Sequence, residues 1–120
     1  MSEEFIKIAT KEINDELSGI SQILGSCKND SDVSKNASVI EEHMHKIKGL
    51  APMMGKKNVG DLAKTLDLIL KKIVTGQNVS DFLESLSLSI VEMKVAMEKP
   101  HDLGKIQKDI SDIAQKISGC

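Results

Sequence analysis

Aromatic side chains are nearly absent from this 120-residue chain, which contains Phe5 and Phe82 but no tyrosine or tryptophan. Proteins that bind single-stranded nucleic acids stack the bases on aromatic rings, so this mode of binding is not expected. Arginine is absent as well, because all 16 basic residues are lysines. The chain therefore lacks the bidentate group that recognises phosphate and guanine, and we expect no nucleic-acid partner.

Cysteines and long hydrophobic runs are also scarce. Cys27 and Cys120 form no recognisable disulfide framework, so we expect reduced thiols in a cytosolic protein. The acidic N-terminal residues have no apolar run after them, which argues against a signal peptide. No stretch approaches the ~18–20 apolar residues of a membrane span. We therefore predict a cytoplasmic protein without direct membrane insertion.

The remaining composition favours a helical fold. Hydrophobic residues make up 40% and charged residues 28% of the chain, as in a soluble globular domain. Apolar spacing predicts five helices in one domain spanning residues 1–120, at roughly 3–25, 33–54, 58–75, 80–98 and 102–118. Short connections predict antiparallel neighbours. We expect an all-α fold, an up-and-down antiparallel four-helix bundle with an additional C-terminal helix.

Apolar residues that recur every three or four positions mark the faces expected to be buried. Ser2 suits the start of the first helix, and Asn78 or Ser80 suits the start of the fourth. In the first helix the predicted buried face consists of Phe5, Ile8, Ile13, Leu17, Ile20 and Leu24. In the second helix it consists of Val33, Ala37, Ile40, Met44, Ile47, Ala51 and Met54. In the third helix it consists of Val59, Leu62, Leu66, Ile69, Leu70 and Ile73.

A histidine in the second predicted helix has unusual neighbours. His45 is followed by Lys48 and Gly49 within an amphipathic segment. A glycine inside a helix costs ~1 kcal/mol relative to alanine, so it needs a reason. If the three residues share an exposed face, the glycine clears room beside the imidazole and the lysine lies one turn away. The pattern indicates a reactive histidine presented to another protein.

Asp67 is expected to lie beside this histidine, because both residues are equally far in sequence from the turn that joins the second and third predicted helices. His45 lies 11 residues before Lys56 and Asp67 lies 11 residues after it, so straight antiparallel helices place both ~16 Å from the turn. A hydrogen bond from Nδ1–H to the carboxylate would fix the tautomer and leave Nε2 as the attacking atom. Lys48 and Lys64 are also equally far from this turn, so they too are expected to face each other. Lys48 is placed to stabilise an incoming phosphoryl oxygen.

The lysines near this histidine predict a basic surface. Residues 45–72 contain seven lysines but only two aspartates. Such a surface would steer an acidic partner towards the site.

The run His45-Lys46-Ile47-Lys48-Gly49-Leu50-Ala51-Pro52-Met53-Met54-Gly55, followed by Leu62-Ala63-Lys64-Thr65-Leu66-Asp67-Leu68-Ile69-Leu70, resembles the histidine phosphotransfer (HPt) family. The chain is most similar to the N-terminal phosphotransfer domain of the chemotaxis histidine kinase CheA. The resemblance implies that His45 accepts a phosphoryl group from ATP bound on a separate kinase catalytic domain. It further implies transfer to an aspartate of a chemotaxis-type response regulator.

The resemblance also implies roles for the neighbouring residues. Lys48 assists phosphorylation, Gly49 clears space, and Asp67 orients the imidazole. The family usually has glutamate in place of Asp67, often a second histidine in place of Lys64, and a small residue in place of Pro52. The shorter acid is expected to make a longer hydrogen bond or one mediated by water, and the proline should kink the helix just past the site.

By this interpretation the chain is a monomeric carrier rather than a complete enzyme. We expect it to bind no metal or cofactor itself, because it contains no nucleotide-cradling glycine motif. Mg-ATP belongs to the partner kinase domain. The resemblance implies that the domain is the N-terminal piece of a larger chemotaxis kinase.

Two alternatives remain at this stage. The chain is a helical adaptor if His45 is never phosphorylated. A di-iron site would use the Glu42-x-x-His45 pattern, but such sites need a second copy of the motif, and Glu98-x-x-His101 is interrupted by Pro100. We assign His43 a structural role and expect His101 to be solvated.

Overall fold

Five α-helices make up most of residues 2–118, the part of the chain that the computed structural model describes. They are α1 (Glu3–Leu24), α2 (Asp30–Met53), α3 (Lys57–Val74), α4 (Phe82–Glu98) and α5 (Gly104–Ser118). No strand occurs among these residues, so the all-α prediction is confirmed. Within the same range, no helix has both the length and the apolar character needed to cross a membrane. Cys120 lies outside the described residues.

Polar side chains cap the N-terminal ends of α1 and α2 and determine where these helices begin. The backbone N–H of Phe5 donates to Ser2 Oγ at 3.0 Å, which confirms the predicted start of α1. The N–H of Asp32 donates to Asn29 Oδ1 at 2.9 Å, so α2 begins at Asp30, three residues before the predicted position. Both caps satisfy backbone donors that have no partner inside the helix.

The start of α4 was predicted wrongly. The carboxylate of Asp30 accepts hydrogen bonds from the backbone N–H groups of residues 81–83, at 2.8–3.0 Å. Neither Asn78 nor Ser80 therefore caps this helix, and α4 begins at Phe82 rather than residue 80. Because the cap comes from α2, no local sequence pattern reveals it.

The start of α5 also lies two residues later than predicted. Asp102 Oδ1 accepts a hydrogen bond from the Gly104 backbone N–H at 2.8 Å. The chain is therefore held in a turn there, and α5 begins at Gly104.

The core forms where the apolar faces of the helices meet. The most extensive packing joins α2 to α3, while α1 packs on α2 and α4, and α5 packs on α3 and α4. In α1, Ile8 is 62% exposed and Ala9 is buried instead, so the prediction for Ile8 was wrong. The predicted apolar faces of α2 and α3 are buried throughout: Val33, Ala37, Ile40, Met44, Ile47, Ala51, Met54, Val59, Leu62, Leu66, Ile69, Leu70 and Ile73.

A tight contact near their shared turn joins α2 and α3. A Cβ atom added to Gly60 would lie 2.6 Å from Cγ of Pro52, so the two helices approach closely only because residue 60 is a glycine. Pro52 lies in the last turn of α2, and the helix ends one residue later at Met53. The hydrogen bond that proline cannot make is therefore lost at the helix end. This contact holds α2 and α3 together on the turn side of His45.

Candidate functional site

His45 and Asp67 lie next to each other across the α2–α3 interface, as the equal spacing predicts. Nδ1 of His45 is 3.5 Å from Oδ2 of Asp67. The side chain of Asp67 is 1% exposed, whereas that of His45 is 59% exposed. The imidazole therefore lies at the surface with one nitrogen facing a buried carboxylate.

The predicted hydrogen bond between these two residues is not formed. A distance of 3.5 Å exceeds the ordinary 2.7–3.2 Å range of an N–H···O bond. The same Oδ2 atom is 3.0 Å from Nζ of Lys71 and 3.3 Å from Nζ of Lys48. Two ammonium groups thus lie closer to the carboxylate than the imidazole does. Contacts of this kind often shorten when substrate binds.

The environment of Asp67 keeps it ionised. Burial by itself would raise the pKa of Asp67, but hydrogen bonds with Glu41, Lys71 and Lys48, together with the charge of Lys71, outweigh burial and lower it. The hydrogen bond to Asp67 also raises the pKa of Lys71. The second carboxylate oxygen, Oδ1, is buried without a hydrogen-bond partner among the described residues.

A second carboxylate, which sequence analysis did not assign, also faces the imidazole. Oε2 of Glu41 lies 3.8 Å from Nδ1 of His45, and the Glu41 side chain is 19% exposed. A hydrogen bond to Asp67, burial and the charge of Asp67 raise the pKa of Glu41. The spacing of four residues between Glu41 and His45 on one helix is the signal that could have identified it. The same spacing relates Asp67 to Lys71.

The other predicted site residues are Gly49, Lys48 and Lys64, and the structure supports their predicted roles to different degrees. A Cβ atom added to Gly49 would meet nothing within 4 Å, so no contact inside the described protein requires glycine there. Lys48 and Lys64 line one open groove of about 530 Å³ together with Asp67 and Gln107. The two lysines, which are equally far from the turn, therefore lie along a common groove. Within that groove the ammonium of Lys48 contacts Asp67.

The basic surface is smaller than the sequence count indicates. Nζ of Lys46 is 3.7 Å from Glu16 Oε2, and Nζ of Lys57 is 2.9 Å from Asp61 Oδ2. Helix α1 thus contributes a carboxylate that the count over residues 45–72 omitted. Lys48, Lys64 and Lys71 line the groove that contains Asp67, and Lys71 also lines the neighbouring groove that contains His45.

Each of the other two histidines contacts a carboxylate of its own. Nδ1 of His43 lies 2.6 Å from Glu16 Oε1, and the ring packs so tightly on Gly19 that an added Cβ would be 2.8 Å from Cε1. The structural assignment of His43 agrees with this packing. Nε2 of His101 lies 2.6 Å from Glu92 Oε1, and its side chain is 32% exposed. His101 is therefore half-buried and paired with a carboxylate, rather than fully solvated.

The group formed by Glu41, His45 and Asp67 has the donor atoms of a metal site, all within 4.8 Å of one another. Carboxylate oxygens and imidazole nitrogen are ordinary ligands for Zn²⁺. However, the ammonium groups of Lys48 and Lys71 already neutralise Asp67. A divalent cation would have to displace both, so the charges around Asp67 oppose metal binding by this group.

Comparison of the chain with protein-family models, with curated proteins and with solved structures finds no match.

The lowered pKa of Asp67 predicts a specific pH dependence of stability. Because the folded protein holds this carboxylate ionised, Asp67 contributes stability above its ordinary pKa of 3.8 that is lost as pH falls through the lowered value. The raised pKa of Glu41 has the opposite effect on the pH dependence of stability. The stability that Glu41 contributes is present below pH 4.5 and is lost as pH rises through the raised pKa. We expect Asp67→Asn to lower the free energy of unfolding by about 2 kcal/mol at neutral pH.

Urea unfolding across the acid range checks this expectation. The advantage of the wild type over Asp67→Asn should be largest between pH 4.5 and 3.8 and should decline below that interval. Asp61→Asn is the matched control, because Asp61 forms an exposed pair with Lys57 on the same helix and should change stability little. An advantage that persists undiminished down to about pH 2 would contradict the assignment of a lowered pKa to Asp67.

Proposed function

We propose that this chain is a histidine phosphotransfer domain, in which His45 accepts a phosphoryl group and passes it to an aspartate of a response regulator. One observation carries the proposal: an exposed imidazole has its Nδ1 directed at a buried, ionised carboxylate. A carboxylate in this position favours the tautomer that carries hydrogen on Nδ1. Nε2, on the far side of the ring, then has its electron pair free for attack.

The chemistry of the transfer follows from this arrangement. Nε2 attacks the γ-phosphorus of ATP held by the kinase domain, so the Nε2–P bond forms while the bond to the leaving ADP oxygen breaks. The ring gains positive charge because Nδ1 keeps its proton, and the Asp67 carboxylate stabilises that charge. In the second step a regulator carboxylate attacks phosphorus, and the electrons of the N–P bond return to Nε2.

The surroundings of the ring suit this reaction. Phosphoryl transfer depends on positioning and on electrostatic stabilisation of the equatorial oxygens. Lys48 and Lys64 line the groove that Asp67 also lines, and they supply positive charge there. Gly49 leaves open space, through which the active site of a partner can approach Nε2. The partners are a kinase ATP-binding domain with its Mg-ATP and a chemotaxis-type response regulator.

The proposed function includes a specific helix arrangement. Helices α1 to α4 form an up-and-down antiparallel bundle, and α5 packs outside it against α3 and α4. This placement is supported by the packing of α1 on α2 and α4, and of α5 on α3 and α4. We further propose that the domain is monomeric and cytoplasmic and works as part of a chemotaxis histidine kinase of the CheA type.

The alternative is a helical adaptor whose His45 is never phosphorylated. The 3.5 Å separation between His45 and Asp67, too long for a hydrogen bond, is the observation that favours it. An adaptor would bind its partner equally well after substitution of His45, whereas a phosphotransfer domain would lose its activity.

Chemical phosphorylation of His45 tests the proposal directly. Phosphoramidate is a small donor that transfers its phosphoryl group to imidazole and releases ammonia, so it needs no kinase. We expect intact mass to rise by one acid-labile phosphoryl group, ~80 Da, in the wild type and not in His45→Gln. The same gain is expected with Mg-ATP and the catalytic domain of a cognate kinase.

Two histidines serve as matched controls in this experiment. His43→Gln and His101→Gln should keep the mass gain, because each of these rings is held by a carboxylate other than Asp67. A gain that survives in His45→Gln but disappears in His43→Gln would refute the assignment of His45. The absence of any gain with either donor would leave the adaptor as the better description.

Substitution of Gly49 should raise the stability of the fold but slow phosphoryl transfer between proteins. We expect Gly49→Ala to stabilise the fold by about 1 kcal/mol, because the added methyl group meets open space. Chemical phosphorylation by phosphoramidate should continue at the wild-type rate. Transfer from the kinase domain and to the regulator should slow about tenfold, since the methyl group obstructs the docked active site.

Gly25→Ala is the control for this substitution, because Gly25 lies at the C-terminal end of α1 with a helical backbone. Urea unfolding measures the stability, and single-turnover transfer measures the rates. Unchanged transfer between proteins in Gly49→Ala would show that the glycine has no role in docking.

A further inference from the structure

The single carboxylate of Asp67 has two cations where one would neutralise it. Both Lys48 and Lys71 contact the same atom, Oδ2, at 3.3 Å and 3.0 Å. Neither ammonium is deeply buried, since the side chains are 35% and 50% exposed. Either lysine is therefore free to move into solvent without leaving Asp67 unpaired, provided that the other remains.

The two lysines differ in where they come from. Lys71 follows Asp67 by four residues on α3, a spacing that places the two side chains together on one helix face. Lys48 reaches across from α2 at the longer distance and follows His45 by three residues, so its base lies beside the ring. Lys48 is thus the lysine whose ammonium can leave Asp67 and contact a group attached to His45 instead.

We propose that Lys71 is a positioning residue that keeps Asp67 neutralised while the ammonium of Lys48 moves to the phosphoryl group on His45. This inference rests on the proposed function. It assigns a role to a residue that touches neither the phosphoryl group nor the attacking nitrogen and acts through Asp67 and Lys48.

Burial of Asp67 explains why such a residue is needed. Removing the counter-ion of a buried charge is strongly unfavourable, because the charge is left without water or a partner. Asp67 is 1% exposed, and Glu41 adds a second carboxyl beside it. Without Lys71, the departure of Lys48 would leave these two acidic groups with no ammonium, so Lys48 would stay on Asp67. The incoming phosphoryl oxygens would then lack their cation.

The movement of Lys48 involves no covalent change. With phosphoramidate as donor, the Nε2–P bond forms while the donor P–N bond breaks and ammonia leaves. Both lysines keep their protons throughout, and only the partner of the Lys48 ammonium changes, from a carboxylate oxygen to phosphoryl oxygens.

The rate of chemical phosphorylation tests this role. We expect Lys71→Met, which keeps the length of the side chain but removes its charge, to lower the rate about tenfold. Lys71→Arg should restore most of the rate, because it keeps a cation near Asp67. Lys108→Met is the matched control, since it removes an exposed pair of the same spacing with Asp112 on α5. Its rate should equal that of the wild type.

A double-mutant cycle separates a positioning role from other roles. In a Lys48→Met background, Lys71→Met should cause no further loss of rate, because no ammonium remains to be released. A further tenfold loss in the double variant would mean that Lys71 acts on the phosphoryl group independently, and would overturn the proposal. An unchanged rate in the single variant Lys71→Met would overturn it as well.

Two additional results keep the test decisive. If Lys71→Met does not fold, as judged by urea unfolding, the comparison is made in the Asp67→Asn background. There the loss of Lys71 should leave the rate unchanged, and a slower rate would refute the proposal. If the wild type gains no phosphoryl group on His45, the proposed function fails and this inference fails with it. If the wild type is phosphorylated and Lys71→Met is phosphorylated at the same rate, only this inference fails.

Discussion

The arrangement around His45 depends on one constraint, the burial of the Asp67 carboxylate between α2 and α3. A charge removed from water must find partners in the protein. Asp67 has them in Lys48 from one helix and Lys71 from the other. The same carboxylate faces Nδ1 of His45. A negative charge is therefore fixed on one side of an imidazole whose ring remains largely at the surface.

The scaffold places this charge through the contact of two helices. The approach of Pro52 to Gly60 holds α2 and α3 close at their shared turn, and the buried apolar faces continue the contact along both helices. Because each helix rises by a fixed amount per residue, residues equally far from the turn face each other. The pairing of His45 with Asp67 is thus a consequence of helix geometry and of the turn position.

Much of this could be predicted from the sequence, for identifiable reasons. The helical periodicity of α2 and α3 identified their buried faces, and equal spacing about the turn brought His45 to Asp67. Sequence reasoning missed the cap that Asp30 supplies to α4, because its hydrogen-bond partner is 52 residues away. It also missed the competition between lysines and histidine for one oxygen, which depends on side-chain conformations. Glu41 and Lys71 could have been found from their four-residue spacing to His45 and Asp67.

The tautomer of the neutral His45 ring is the most direct measure of what Asp67 does. Nitrogen-15 chemical shifts of Nδ1 and Nε2, recorded at about pH 9 where an ordinary imidazole is uncharged, report which nitrogen carries hydrogen. The account predicts that Nδ1 carries it in the wild type, and that this preference is lost in Asp67→Asn. A ring that carries its hydrogen mainly on Nε2 in the wild type would contradict the account, because the nitrogen assigned to attack would then have no free electron pair.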